Sequence, residues 1–173
     1  MNIQWFPGHM TKALRLIEDS LKTVDAVGYV LDARAPRACL NPELDGIIGG
    51  KPCLYILNKS DLADKAKTRE WENYFEGEGK HTAVISSVNT NERKKIADAF
   101  RLIARPITEK YAAKGVFRPV RAMIAGVPNS GKSTLINCVS TRKAALTGDR
   151  PGVTKGKQWI RLAEGIELLD TPG

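Results

Sequence analysis

The residues most committed to chemistry are Gly126-Val127-Pro128-Asn129-Ser130-Gly131-Lys132-Ser133, where two glycines bracket four residues and a Lys-Ser pair follows at once. Glycines at 126 and 131 let successive backbone N–H groups turn inward, and a helix starting at the same point adds positive potential. The resulting cradle, from Gly126 through Thr134, suits a di- or triphosphate. Lys132 is placed to reach the β and γ phosphates, and the Ser133 hydroxyl to complete the oxygen shell of a magnesium ion. A bare glycine turn explains the glycines but not the Lys-Ser pair that follows them.

A second constellation is Asn58-Lys59-Ser60-Asp61. A carboxylate such as Asp61 accepts two hydrogen bonds from the ring N–H and exocyclic amine of guanine, whereas adenine offers no matching donor pair. In this reading Asn58 supports the loop and the base edge, and the stem of Lys59 lies against the ring. An N-K-x-D tetrapeptide is common by chance; its place at a strand end in a chain with a phosphate loop gives it weight. Ser86-Ser87-Val88-Asn89 is a third loop, expected to bring backbone N–H groups toward guanine O6, although serines at a turn are weak evidence alone. Asp170-Thr171-Pro172-Gly173 puts an acid at a strand tip, in the place of a magnesium-supporting residue, with the Gly173 N–H available to a γ-phosphate. D-T-P-G is also a plain turn sequence. His9 reads as a loop histidine just ahead of a helix, exposed or capping unless something further assigns it a role.

These loops need a frame. Val24 to Leu31, Pro52 to Leu57, His81 to Ile85 and Val120 to Ala125 are short apolar runs that predict buried strands. Lys157 to Leu162 and Ile166 to Leu169, separated by Ala163-Glu164-Gly165, predict a hairpin. Met10, Leu14, Ile17, Leu21 and Val24 recur at helical spacing, so an amphipathic helix precedes the first strand. Asn41 to Ile48, Asp64 to Glu76 and Asn91 to Ala113 complete the helices, with Trp71, Tyr74 and Phe75 on a core side and Pro106 expected to bend or break the last. Lys114 to Pro119 reads as a linker and Thr141 to Gly156 as polar and flexible. The expected organisation is an N-terminal segment and helix over 1–23 and a nucleotide-binding domain over 24–173.

At 173 residues and 42% hydrophobic, the chain fits one domain with a real core. No apolar run nears the roughly 20 residues of a membrane span, and no signal-peptide pattern opens the chain, so a cytoplasmic protein is expected. Cys39, Cys53 and Cys138 lack metal-ligand spacing and read as reduced thiols. Charge is uneven: residues 1–92 hold 11 Lys/Arg against 13 Asp/Glu, and residues 93–161 hold 16 against 3. That excess fits either attraction to nucleic acid or solvated faces around a nucleotide-binding lysine.

Together, G-V-P-N-S-G-K-S, the threonine of Pro151-Gly152-Val153-Thr154, D-T-P-G and N-K-S-D are similar to the nucleotide motifs of translation-factor-type GTPases, but N-K-S-D here precedes the phosphate loop. That order is the mark of circular permutation. With the opening Q-W-F-P-G-H-M, D-A-R-A-P at 32–36 and T-G-D-R-P-G-V-T at 147–154, the chain resembles the YlqF/RbgA family of ribosome-assembly GTPases over nearly its whole length. The resemblance implies an α/β P-loop GTPase fold with a six-stranded, mostly parallel sheet flanked by helices, binding GTP or GDP and magnesium at the strands' carboxyl ends.

It further implies that Ser133 and Thr154 ligate magnesium, that Asp170 supports it, and that Asn129 serves a potassium ion standing in for an arginine finger. His9 matches the family's proposed water-positioning residue, joining Lys132 and Thr154 as catalytic candidates. The implied partners are the precursor of the large ribosomal subunit and its rRNA, with the protein a monomer. Family members continue past D-T-P-G into a C-terminal RNA-contacting domain, so weak stimulated hydrolysis is expected of this stretch alone. A nucleotide-licensed RNA-binding module with incidental turnover is the alternative.

Overall fold

The computed structural model describes residues 7–89, 91–140 and 158–170, with the side chains of Pro7, His9, Met10, Gln158 and Asp170 outside that description. Six strands form one sheet in the order β3-β2-β1-β4-β6-β5. The strands are β1 (Ala26–Asp32), β2 (Cys53–Asn58), β3 (His81–Val84), β4 (Val120–Ala125), β5 (Gln158–Ala163) and β6 (Ile166–Asp170). All pairings are parallel except β5 with β6, which closes the expected hairpin. The helices are α1 (Pro7–Leu21), α2 (Pro42–Ile48), α3 (Lys65–Gly77), α4 (Glu92–Ala113) and α5 (Lys132–Val139).

The central strands are apolar without alternation because both faces are covered. Val30 of β1, Ile56 of β2 and Ile124 of β4 meet Ile96, Phe100 and Ile103 of α4 on one face. Val27, Tyr29 and Leu31 of β1 face the other way, into a layer with Leu21 of α1, Leu44 of α2 and Phe75 of α3. Burying a side chain such as Phe100 contributes about 2–3 kcal/mol. On the second face Tyr55 stacks on Phe75 with ring centroids 5.2 Å apart. The core reading holds for Phe75 and half-buried Trp71, whereas Tyr74 stands 53% exposed.

Local signals set most boundaries. Asn41 caps α2 by accepting from the Glu43 N–H, and Asp64 caps α3 by accepting from the Lys67 N–H. One boundary departs from expectation. Helix α1 starts at Pro7, placing His9 in its first turn rather than in a loop ahead of it. Proline at the first helical position gives up no intrahelical hydrogen bond, so the Pro-Gly pair opens the helix here instead of breaking it. Helix α4 ends at Ala113 as the sequence predicts, and Pro106 does not break it. The proline withdraws the N–H that the Leu102 carbonyl would accept, and Leu102 is 59% exposed, where water can replace it.

Candidate functional site

In this sheet the chain leaves β1 for β2 on one side, while β4 lies on the other side of β1. Such a switch in strand order opens a crevice at the carboxyl ends of the strands. The loops after β1, β2, β3 and β4 converge there. They carry Asp32, Asn58 to Asp61, Ser86 to Asn89, and Gly126 to Gly131.

Asn58, at the end of β2 and 1% exposed, ties three of these loops together. Its Nδ2 donates to the Ser130 carbonyl at 3.2 Å. Its Oδ1 accepts from the Ser87 N–H at 3.1 Å and from the Ser87 hydroxyl at 2.6 Å. The sequence reading had Asn58 support both the loop and the base edge; the structure uses its whole amide to brace the neighbouring loops. Ser87 accordingly commits both its N–H and its hydroxyl to this amide.

Ser86, also buried, donates its hydroxyl to Asp61 Oδ1 at 2.8 Å. The Asp61 carboxylate is exposed, and among the described residues its second oxygen receives no hydrogen bond. Ser86 thus orients the carboxylate while each oxygen keeps a lone pair to accept with, as a reader of two adjacent N–H donors requires.

The phosphate loop leaves β4 and enters α5 with the geometry its glycines permit. Gly126 has φ +153°, and a Cβ there would sit 2.6 Å from the Val30 carbonyl oxygen. Gly131 has φ +95°, and a Cβ there would meet Asn58 Nδ2 at 2.4 Å. Close approach therefore accounts for both glycines, and at Gly131 the approach is to the base-reading loop. Ser130 is buried and folds its hydroxyl onto the Val127 carbonyl at 2.8 Å, inside the loop. Lys132 Nζ donates to the carbonyls of Gly126 at 2.8 Å and Val127 at 3.0 Å, and an ammonium with three donors keeps one for a phosphate. Burial lowers its pKa from the ordinary lysine value. Ser133 and Thr134 are exposed in the first turn of α5, and Pro128 and Asn129 are exposed on the loop rim.

Among the described residues, two that are not glycine hold left-handed backbone, Lys59 at φ +60° and Asn129 at φ +65°. Asn tolerates that region; Lys does so only when held. Lys59 Nζ donates to the Asn129 carbonyl at 2.7 Å and lies 3.3 Å from Asp32 Oδ2. Sequence reasoning gave Asp32 no role beyond its place in D-A-R-A-P, although an acid at the tip of a buried strand was the available signal.

The structure thus gathers Asn58, Lys59, Asp61, Ser86, Ser87 and the loop from Gly126 to Thr134. Asp170 ends β6, and His9 lies in the first turn of α1 by backbone. Thr154 and Gly173 fall outside the described residues. Among the described residues no cluster of three or more His, Cys, Asp or Glu is arranged to hold a metal. No helix among them is long and apolar enough to cross a membrane.

Comparison with known proteins places this geometry. Residues 121–173 match the family described as 50S ribosome-binding GTPase. The chain is 46% identical over 174 residues to Ribosome biogenesis GTPase A of Bacillus licheniformis, an alignment covering all of this chain and 62% of that protein. To Ribosome biogenesis GTPase A of Thermotoga maritima it is 37% identical, over 99% of this chain and 58% of the other. A crystal structure of GNP-bound YlqF from T. maritima superimposes with a TM-score of 0.66 at 34% identity, covering 94% of this chain and 57% of that one. The chain spans about three-fifths of the length of these relatives.

Proposed function

We propose that this chain, which carries a circularly permuted P-loop GTPase domain homologous to the proteins named Ribosome biogenesis GTPase A, binds GTP, hydrolyses it to GDP and phosphate, and acts in assembly of the large ribosomal subunit. The observation that carries the reading is the buried amide of Asn58, which joins the N-K-S-D loop to the phosphate loop and to the Ser86-Ser87 turn in one rigid unit. A base reader and a phosphate cradle fixed to each other at one strand edge suit a guanine nucleotide and little else.

In this reading Asp61 accepts from guanine, with Ser86 holding its orientation. Lys59 lends its stem to the face of the base. The backbone from Gly126 through Thr134 surrounds the phosphates and Lys132 contacts the β and γ groups. Ser133, an exposed hydroxyl beside Lys132, fits one oxygen position of a magnesium ion, with Thr154 and Asp170 as its further partners by motif; such an ion neutralises charge developing on the phosphates. Exposed Asn129 fits an oxygen ligand for potassium. His9, in the first turn of α1, positions the attacking water. The partners are the large-subunit precursor and its rRNA, met by a monomer in the cytoplasm.

Asp61→Asn tests the base reading. The variant should lose GTP binding and gain xanthosine triphosphate binding, because the amide donates where the carboxylate accepted; undiminished preference for GTP would sink the assignment. A non-hydrolysable GTP analogue should trap the full-length protein on large-subunit particles. Indifference to the analogue would favour a binding module with incidental turnover.

A further inference from the structure

Asp32 ends β1 and pairs in register with Asn58 at the end of β2. Since β1 lies between β2 and β4, the Asp32 carboxylate sits behind the gap between the base-reading loop and the phosphate loop. Lys59 crosses that gap. Its ammonium reaches the Asn129 carbonyl at 2.7 Å, with Asp32 Oδ2 3.3 Å away. A Cβ on Gly131 would lie 3.6 Å from Lys59 Cε, so the end of the lysine stem rests on the phosphate loop.

Arg34 holds the carboxylate from the other side. Its backbone N–H and Nε each donate to Oδ1 at 3.0 Å, and its second guanidinium nitrogen donates to Oδ2 at 2.7 Å. These hydrogen bonds, ahead of any effect of Lys59, bring the pKa of Asp32 down to about 2, so the anion persists at every working pH.

We infer that Asp32 is a positioning residue for guanine-nucleotide binding, holding the Lys59 ammonium on the phosphate loop so that the lysine stem stays along the face of the base. The inference rests on reading this crevice as a GTP site. A lysine is a point charge on a flexible four-carbon stem, and a bound polyphosphate is the strongest attractor within its reach. The carboxylate behind it and the Asn129 carbonyl beside it compete with that pull. They also compensate the strain of the left-handed backbone of Lys59. With the carboxylate gone, the ammonium can leave the loop carbonyl, and base wall and cradle lose a link.

Stopped-flow release of fluorescent GDP from the full-length protein tests this with four proteins: wild type, Asp32→Asn, Lys59→Met and the double variant. Asp32→Asn should release GDP about tenfold faster, the scale of one lost contact to a charged group. In the Lys59→Met background Asp32→Asn should have no further effect. Arg34→Ala, which leaves the Lys59 contact in place, should change release less than twofold. Wild-type release rates from Asp32→Asn, effects that multiply in the double variant, or an Arg34→Ala effect equal to that of Asp32→Asn would each overturn the inference. Failure of the wild type to bind GDP would overturn the guanine-site reading beneath it.

Discussion

The two ends of the sheet use the same polar chemistry to different ends. At the amino end, Asp25 accepts two guanidinium hydrogen bonds from Arg118, at 2.8 and 2.7 Å, and a third from the Arg121 N–H at 3.0 Å. Arg118 in turn covers the Tyr111 ring at 4.2 Å, and Lys51 caps the Val24 carbonyl at 2.7 Å. Each group there has its complement, and the cluster fastens the linker before β4 to the start of β1. At the carboxyl end, Asn58 is just as fully bonded, but what it holds is unfinished: an Asp61 oxygen with no hydrogen bond among the described residues, a lysine with a spare donor, left-handed backbone at Lys59 and Asn129. Saturated contacts mark where the fold is fastened, and unsaturated groups held by saturated ones mark where it is meant to bind.

Substitutions at the two ends should separate these roles. The largest effect is expected from Gly131→Ala, whose methyl would have to displace Asn58 Nδ2 from 2.4 Å at a φ of +95°. Nucleotide binding should fall below detection in calorimetry, with stability lowered by about 1–3 kcal/mol. Asn58→Ala should follow closely: leaving the buried Ser87 and Ser130 groups without partners costs about 2–3 kcal/mol in chemical denaturation, together with most of the nucleotide affinity.

At the opposite end, Asp25→Ala should cost about 1–2 kcal/mol of stability and leave GDP affinity within twofold. Its pH signature has a definite sign. Burial would raise the Asp25 pKa, but the hydrogen bonds from Arg118 and the Arg121 N–H outweigh it and hold the carboxyl below its ordinary value. The stabilisation is therefore fully present above the unfolded pKa and is lost as pH falls through the lower, folded one. The difference between wild type and Asp25→Ala in a denaturation series should narrow only under strongly acidic conditions, and narrowing near neutrality would break the comparison. Phe117, 85% exposed beside the amino-end cluster, sets the floor. Phe117→Ser should move stability by less than about 0.5 kcal/mol and leave nucleotide binding alone.

Much of the frame was legible in the sequence because its signals are local. Apolar runs without alternation located the parallel strands, and the capping residues Asn41 and Asp64 marked helix starts to within a residue. The start of α1 at Pro7 and the unbroken run of α4 through Pro106 were not legible, because a proline's effect depends on its place in the helix, on which carbonyl loses a partner and on whether water can reach it, and spacing alone does not show that. The site was legible by motif: N-K-S-D and the phosphate loop do converge. Their internal wiring was not. Ser86 and Ser87 were expected to offer backbone donors to a base, yet their hydroxyls brace Asp61 and Asn58, a choice made by side-chain torsions across 25 and 29 residues of sequence. Asp32 escaped for the same reason, since its partner Lys59 is brought to it only by the pairing of β1 with β2.

The position of β4 has a consequence for how the molecule is made. Strands β1, β2 and β3 join their neighbours through short α-helical crossovers, so these contacts form between segments close in sequence. Strand β4 must insert beside β1, bringing Ala122 to Ala26, after strands β2 and β3 and the long helix α4 have intervened. Closing so large a loop slows folding more than it weakens the product. During synthesis the half that reads the base is therefore complete well before the half that grips phosphate. A nucleotide, which needs both, acts as a late clamp: by mass action it favours the chain in which β4 has found its slot.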